Sequence, residues 1–370
     1  MMRYTKSISY GSILLTVSLT FIQCVDTIDV DPSSKDLTHI PYQPVTFSPF
    51  IPQGFPALEQ PTDNLMTVDG IRLGRKLFYD PVLSVDSTIS CASCHKQFNS
   101  FSDELSASQG VAGITTRSSM SLINVGFHYH GLFWDGRAAT LEEQALVPVE
   151  NPIEMGENWD NVEEKLKMHP DYPAEFRKAF GIESTSEISR ELAAKALAQF
   201  ERSLISGGNT RYDKFARREI FLNESEYNGF LMFFDFDPAL PDAECGHCHN
   251  APLFGTEEYF NNGLQESADF EGFSDKGFGL FTTHATDNGK FKAPTLRNIA
   301  FTAPYMHDGS LQTLEDVVDH YNSGGKQSPN KNALLHPLGF TESQKSDLIA
   351  FLMTLTDSTI LTNEAFKSPF

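Results

Sequence analysis

The chain is 370 residues long, with 28 basic against 49 acidic side chains and a formal net charge of −21. That length can bury two separate cores, and a hydrophobic share of 40 per cent is ordinary for a folded protein. The acidic balance excludes a nucleic-acid binder, because phosphate contacts need clustered Lys and Arg; it suits a solvated surface with some bias toward a basic protein partner.

Residues 1–24 read as an export signal. Arg3 and Lys6 supply positive charge, Ile13 to Ile22 form a short apolar run, and Cys24 follows it. The run is too short to span a bilayer as a stable helix. Cys24 stands where a bacterial lipoprotein signal would place its lipidated residue, although Phe21-Ile22-Gln23 lacks the small residue that normally precedes it. A lipid anchor at Cys24 is expected, with a cleaved soluble form as the alternative. Residues 25–49 contain Pro and Asp and read as a tether.

Cys91-Ala92-Ser93-Cys94-His95 comes next, with a twin at Cys245-Gly246-His247-Cys248-His249. C-x-x-C-H is the attachment sequence for c-type haem. Two thiols one helical turn apart can add to the two vinyl groups of a porphyrin, and the adjacent imidazole then ligates the iron. Two matches that use four of the five cysteines make a specific signal. The competing reading, one structural zinc held by two C-x-x-C pairs, does not explain the His after each pair. We therefore expect two covalently bound haem c groups, ligated by His95 and His249.

Between and beyond these motifs the signals are helical. Thr140 followed by Glu143 is a capping box, which starts a helix at Leu141. Pro148 and Asn151-Pro152 should break it and turn the chain toward Glu154 and Met155, so that Gln144 and Glu154 flank one cavity. In Glu187 to Leu204 the residues Leu192, Ala196, Leu197, Phe200 and Leu204 form an apolar stripe, which Ser206-Gly207-Gly208 ends. Thr313 to Asp316 cap a later helix that Gly324-Gly325 stops, with Leu314, Val317, Val318 and Tyr321 on its buried face. No sustained alternating pattern marks a strand. The expected fold is mainly α: two cytochrome c-like domains, residues 50–210 and 211–370, each around one haem. The 30 phenylalanines suit packing against porphyrins, or simply an aromatic-rich core.

The first haem motif, Phe133-Trp134-Asp135-Gly136-Arg137-Ala138, Gln144, Pro148 and Glu154-Met155 resemble, in order and spacing, the bacterial di-haem cytochrome c peroxidases. So do Phe291 to Asn298 and Thr302 to Gly309, and the likeness runs from about Gly70 to Tyr321. The resemblance implies that Glu154 is an acid–base catalyst over the open face of the first haem. It places Gln144 beside Glu154 and Trp134 between the haems. The substrate would be hydrogen peroxide, and the electrons would come from a small donor protein, a cytochrome c or a cupredoxin. The protein would lie in the periplasm or cell envelope, attached to a membrane only by its N-terminal lipid; a homodimer is compatible with this reading.

Two departures from the family pattern matter. Many relatives carry a His that caps the first iron at the place of Val111, and Val cannot ligate iron. The first haem should therefore be open in its oxidised state, unless His128 or His130 substitutes. Standard peroxidases also carry a Met at the place of Tyr321, whereas Tyr occurs in the methylamine-dehydrogenase maturation group. Tyr321 is thus the expected second ligand, with Met306 as the alternative and His307 as a neighbour of a haem propionate. A MauG-like oxidase acting on a partner protein and a plain electron-transfer cytochrome are the competing functions. The family's calcium would use the carbonyls of Thr302 and Pro304, with Ser118 where relatives have Asn.

Overall fold

The computed structural model describes residues 35–370. The expected export signal, Cys24 and the start of the tether lie outside them. Among the described residues no helix is long and apolar enough to cross a membrane.

In chain order the helices are α1 (Val68–Tyr79), α2 (Cys91–Cys94), α3 (Leu141–Glu150), α4 (Trp159–Met168), α5 (Tyr172–Phe180), α6 (Arg190–Arg202), α7 (Arg211–Ala216), α8 (Glu224–Phe233), α9 (Phe278–Thr282), α10 (Leu314–Ser323) and α11 (Glu342–Met353). The only strands described are two antiparallel ribbons of two-residue strands: β1 (Gln109–Gly110) with β2 (Gly113–Ile114), and β3 (Tyr259–Phe260) with β4 (Phe291–Lys292). The helix-rich expectation holds.

Local chemistry explains where the main helices begin. The Thr140 hydroxyl accepts from the Glu143 amide, Ser189 accepts from Leu192, and Thr313 forms a reciprocal box with Asp316. Gly324 ends α10 at φ +81°, a conformation that suits a residue without Cβ. Pro148 does not break α3, contrary to expectation. It lies in the last turn, where only the Gln144 carbonyl loses a partner, and Asn151 caps the helix end.

Two buried clusters organise the chain. The first joins Leu73, Leu77 and Phe78 of α1 to Phe176 of α5 and to Ala193, Leu197 and Phe200 of α6. Gly74 lets α1 and α6 touch: a Cβ there would stand 1.9 Å from the Ala196 carbonyl oxygen. The second cluster is largely phenylalanine, with Phe233, Phe254 and Phe351 packed between α8 and α11 beside Leu348 and Val318. The Phe233 and Phe351 rings meet at 5.1 Å between centroids, within the range of favourable aromatic pairs.

Two segments depart from the expected boundaries. The described part of the tether is packed: Leu37 is buried in the first cluster, and its amide bonds the Glu183 carbonyl. An apolar residue with a backbone partner gains by docking where a polar linker would not. The C-terminal tail also returns to the first cluster. Ile360 is buried there, Gln97 Nε2 donates to the Ile360 carbonyl at 2.9 Å, and the Tyr79 hydroxyl donates to the Phe366 carbonyl at 2.7 Å.

Candidate functional site

Each haem motif opens onto its own cavity. Cys91, Cys94 and His95 line one, and Cys245, Cys248 and His249 line the other. All four thiols are unbridged. Because the two Cys pairs face different cavities, one shared zinc site is excluded.

The imidazoles are set up as ligands. His95 Nδ1 lies 2.9 Å from the Phe101 carbonyl oxygen and 3.1 Å from the Ser119 hydroxyl. His249 Nδ1 lies 3.1 Å from the carbonyls of both Phe254 and Pro294. A carbonyl can only accept, so the proton sits on Nδ1 and Nε2 keeps a free lone pair. Burial lowers the pKa of both rings, which favours the neutral ligating form. Burial likewise raises the thiols of Cys94 to about 11 and Cys245 to about 12, so they are uncharged. This donor set fits a covalent haem in each cavity.

Gln144 and Glu154 line the first cavity together with His95. Burial raises the Glu154 pKa, while Arg137 and a 2.7 Å bond from Asn151 Nδ2 pull the other way. The net shift is upward, and Arg137 also pairs with Asp135 at 2.9 Å. The ribbon that carries Val111 holds the Glu154 backbone: the Val111 amide donates to the Glu154 carbonyl at 2.9 Å. Gly110 makes this approach feasible, since a Cβ there would lie 2.0 Å from the Ile153 carbonyl oxygen. His128 edges the same cavity with its Nδ1 2.9 Å from Glu257, while the His130 amide bonds the other oxygen of that carboxylate.

Trp134 belongs to the wall that the two cavities share, along with residues 118–121, Lys292, Pro294 and Thr295. Its indole N–H donates to the Ser118 carbonyl at 3.0 Å, and its own carbonyl accepts from Lys292 at 2.9 Å. The side-chain amine of Lys292, almost fully buried, lies 3.3 Å from Glu257.

The second cavity contains both candidate axial ligands, Tyr321 and Met306, on the side chains that line it. Burial pushes the Tyr321 hydroxyl up to about 12, and Asn262 beside it acts in the opposite direction. His307 is stacked on Phe291 with 3.5 Å between ring centroids. The proposed calcium donors lie together around the second cavity. Thr302, Pro304 and Ser118 offer only neutral oxygens, and the Ser118 hydroxyl donates to the Met306 carbonyl at 2.8 Å; calcium sites normally include carboxylates. No step is assigned to calcium.

Glu201 was not singled out by sequence reasoning. It lines the first cavity, is 5 per cent exposed, and one carboxyl oxygen has no hydrogen-bond partner. Its signal was a charged residue four places after Leu197 on the apolar stripe of α6. Burial, reinforced by Glu142 and opposed by Arg202, raises its pKa to about 8. The unfolded chain therefore releases this proton at lower pH than the folded one. Stability from this group should fall as pH rises from about 4.5 to about 8. Glu201→Gln should flatten that decline in thermal melts of the haem-loaded protein; an unchanged slope would contradict the assignment.

A helix-rich chain with two C-x-x-C-H cavities, one of them holding a buried acid, defines a di-haem c-type protein equipped for acid–base chemistry. Comparison with known proteins makes the class specific. The family model described as di-haem cytochrome c peroxidase matches residues 68–220. The chain is 32% identical over 349 residues to cytochrome-c peroxidase IdrP1 of Denitromonas iodatirespirans, covering 86% of this chain and 90% of that protein. It is 34% identical over 303 residues to methylamine utilization protein MauG of Methylorubrum extorquens, covering 81% of each. A solved MauG-like protein associated with microbial copper homeostasis is 35% identical at a TM-score of 0.78, covering 88% of this chain and 99% of its own. The diheme peroxidase BthA of Burkholderia thailandensis, 24% identical, shares the fold at a TM-score of 0.69, over 84% of this chain and 89% of its own. The chain belongs to the di-haem cytochrome c peroxidase family and is a peroxidase-type oxidoreductase.

Proposed function

We propose that the chain reduces hydrogen peroxide to water in the His95 cavity, using electrons from a small external redox protein that enter through the His249 cavity. The observation that carries this reading is Glu154: a half-buried carboxyl of raised pKa in the same cavity as an imidazole with its Nε2 free. When bound, the first haem supplies the iron at which the peroxide bond is reduced, and the second supplies one-electron storage.

The residues then have separate tasks. Glu154 takes the proton from one peroxide oxygen and returns it to the other, which leaves as water. Asn151 orients that carboxyl, and Gln144 supplies a second polar contact within the cavity. Trp134, in the shared wall, offers an oxidisable ring between the two sites. Val111 cannot ligate iron and is not among the residues lining the first cavity, so a haem held there by His95 would gain no second protein ligand from that position. The two haem domains are residues 50–210 and 211–370, with the tail from Asp357 packed on the first. The protein is exported to the periplasm or cell envelope, anchored by lipid at Cys24, and takes electrons from a cytochrome c or cupredoxin.

Steady-state oxidation of reduced donor by hydrogen peroxide tests the activity; no peroxide-dependent turnover with any small donor would reject it. Electron paramagnetic resonance of the oxidised protein should show a high-spin first haem, and a wholly low-spin spectrum would remove the open site.

A second reading, oxidation of residues on a partner protein, is favoured by Tyr321. A phenolate ligand stabilises ferric and higher iron, whereas a thioether raises the potential. Tyr321→Phe should change the second haem's absorption spectrum and raise its potential. An unchanged spectrum would return the ligand role to Met306.

A further inference from the structure

The second cavity holds two side chains able to ligate iron, so something must choose between them. Asn262 lines the cavity with both. Its side-chain oxygen accepts from the Leu264 amide at 3.3 Å, which fixes the orientation of the amide and leaves its two N–H hydrogens free. Nδ2 lies 3.2 Å from the Met306 sulphur. The same amide stands beside the Tyr321 hydroxyl in that cavity.

The surroundings hold this arrangement in place. The Asn262 backbone carbonyl lies 2.9 Å from His320 Nε2, and His320 immediately precedes Tyr321 on α10. Met306 has φ +75°, the left-handed region that L side chains rarely adopt, so its backbone is committed to one conformation. Ser118 adds a bond to the Met306 carbonyl.

We propose that Asn262 selects the second haem's axial ligand, holding the Met306 thioether aside with one amide hydrogen while offering the other to the Tyr321 oxygen. It is a positioning residue that acts through the two ligand candidates. The proposal rests on Tyr321 being the ligand in the resting protein. A thioether sulphur whose lone pair already accepts a hydrogen bond is a poorer donor to iron. A Tyr321 side chain held by the same amide keeps its place in the cavity, and a phenolate is a donor that suits ferric iron.

The test uses the full haem-loaded chain and reads the second haem directly, by near-infrared charge-transfer absorption and potentiometric titration. Wild type should lack the band of a thioether–ferric pair. Asn262→Ala should produce that band and raise the second haem's potential, and Met306→Leu added to Asn262→Ala should remove the band again. Asn262→Ser, whose short hydroxyl cannot serve both partners, gives the same comparison should the alanine variant load haem poorly. A phenolate-ligated wild type whose Asn262 variants keep its spectrum and potential would overturn the proposal. A thioether band already present in wild type would instead overturn the Tyr321 reading beneath it.

Discussion

Glu154→Gln should lower the turnover number with hydrogen peroxide by about 10²–10⁴-fold, the usual loss when a positioned proton carrier is removed. The amide preserves shape but can neither accept nor return the peroxide proton. KM for peroxide should move little, since the lost interaction belongs to the bond-breaking step. The pH profile gives an independent check. Glu154 must begin ionised to take the proton, so kcat/KM should rise with pH through its folded pKa. That limb should lie above the ordinary 4.5, because burial raises the group. The glutamine variant should lose the limb altogether. Unchanged turnover would rule Glu154 out as the proton carrier.

Asp213→Ala should destabilise the protein by about 3–5 kcal/mol, because it strands a buried cation. Arg297 is 1 per cent exposed, and its NH2 lies 2.9 Å from Asp213 Oδ1. Its Nε donates to the Pro252 carbonyl at 2.7 Å, and its guanidinium lies 4.7 Å from the centre of the Phe55 ring. Asp213 also accepts from Gly208 and Thr210, so one carboxylate ties the start of α7 to the loop after the second haem motif. Burial raises the Asp213 pKa, but Arg297 more than offsets this and the net shift is downward. Its contribution is therefore present at neutral pH and lost as pH falls through a value below the ordinary 3.8. Thermal melts at neutral pH should show the full deficit. A Tm within a degree of wild type would mean that water compensates Arg297.

What the sequence revealed, and what it hid, follows from the range of the interactions involved. Helix starts at Leu141 and Leu314 were legible because their caps are local, spanning three residues. The haem motifs were legible because covalent attachment dictates a short fixed spacing. Pro148 was misjudged because a proline costs little in a last turn, and the position of that turn depends on Asn151. Glu201 and Asn262 carry no local pattern. Glu201 matters only because α6 presents it to a cavity that Cys91 also lines. Asn262 matters only because Met306 and Tyr321 converge on it from distant parts of the chain.

The docked tail has a consequence for biogenesis. Ile360 and Phe366 pack onto the cluster that supports α2, and Arg75 donates to the carbonyls of Glu364 and Ala365. A nascent chain emerges from its N-terminus and tends to fold in that order, but here the half made first needs Ile360 to Phe366, made well after it, before its shell closes. Removing residues 359–370 would thus loosen the half that carries the first haem motif, not the half to which those residues are adjacent in sequence.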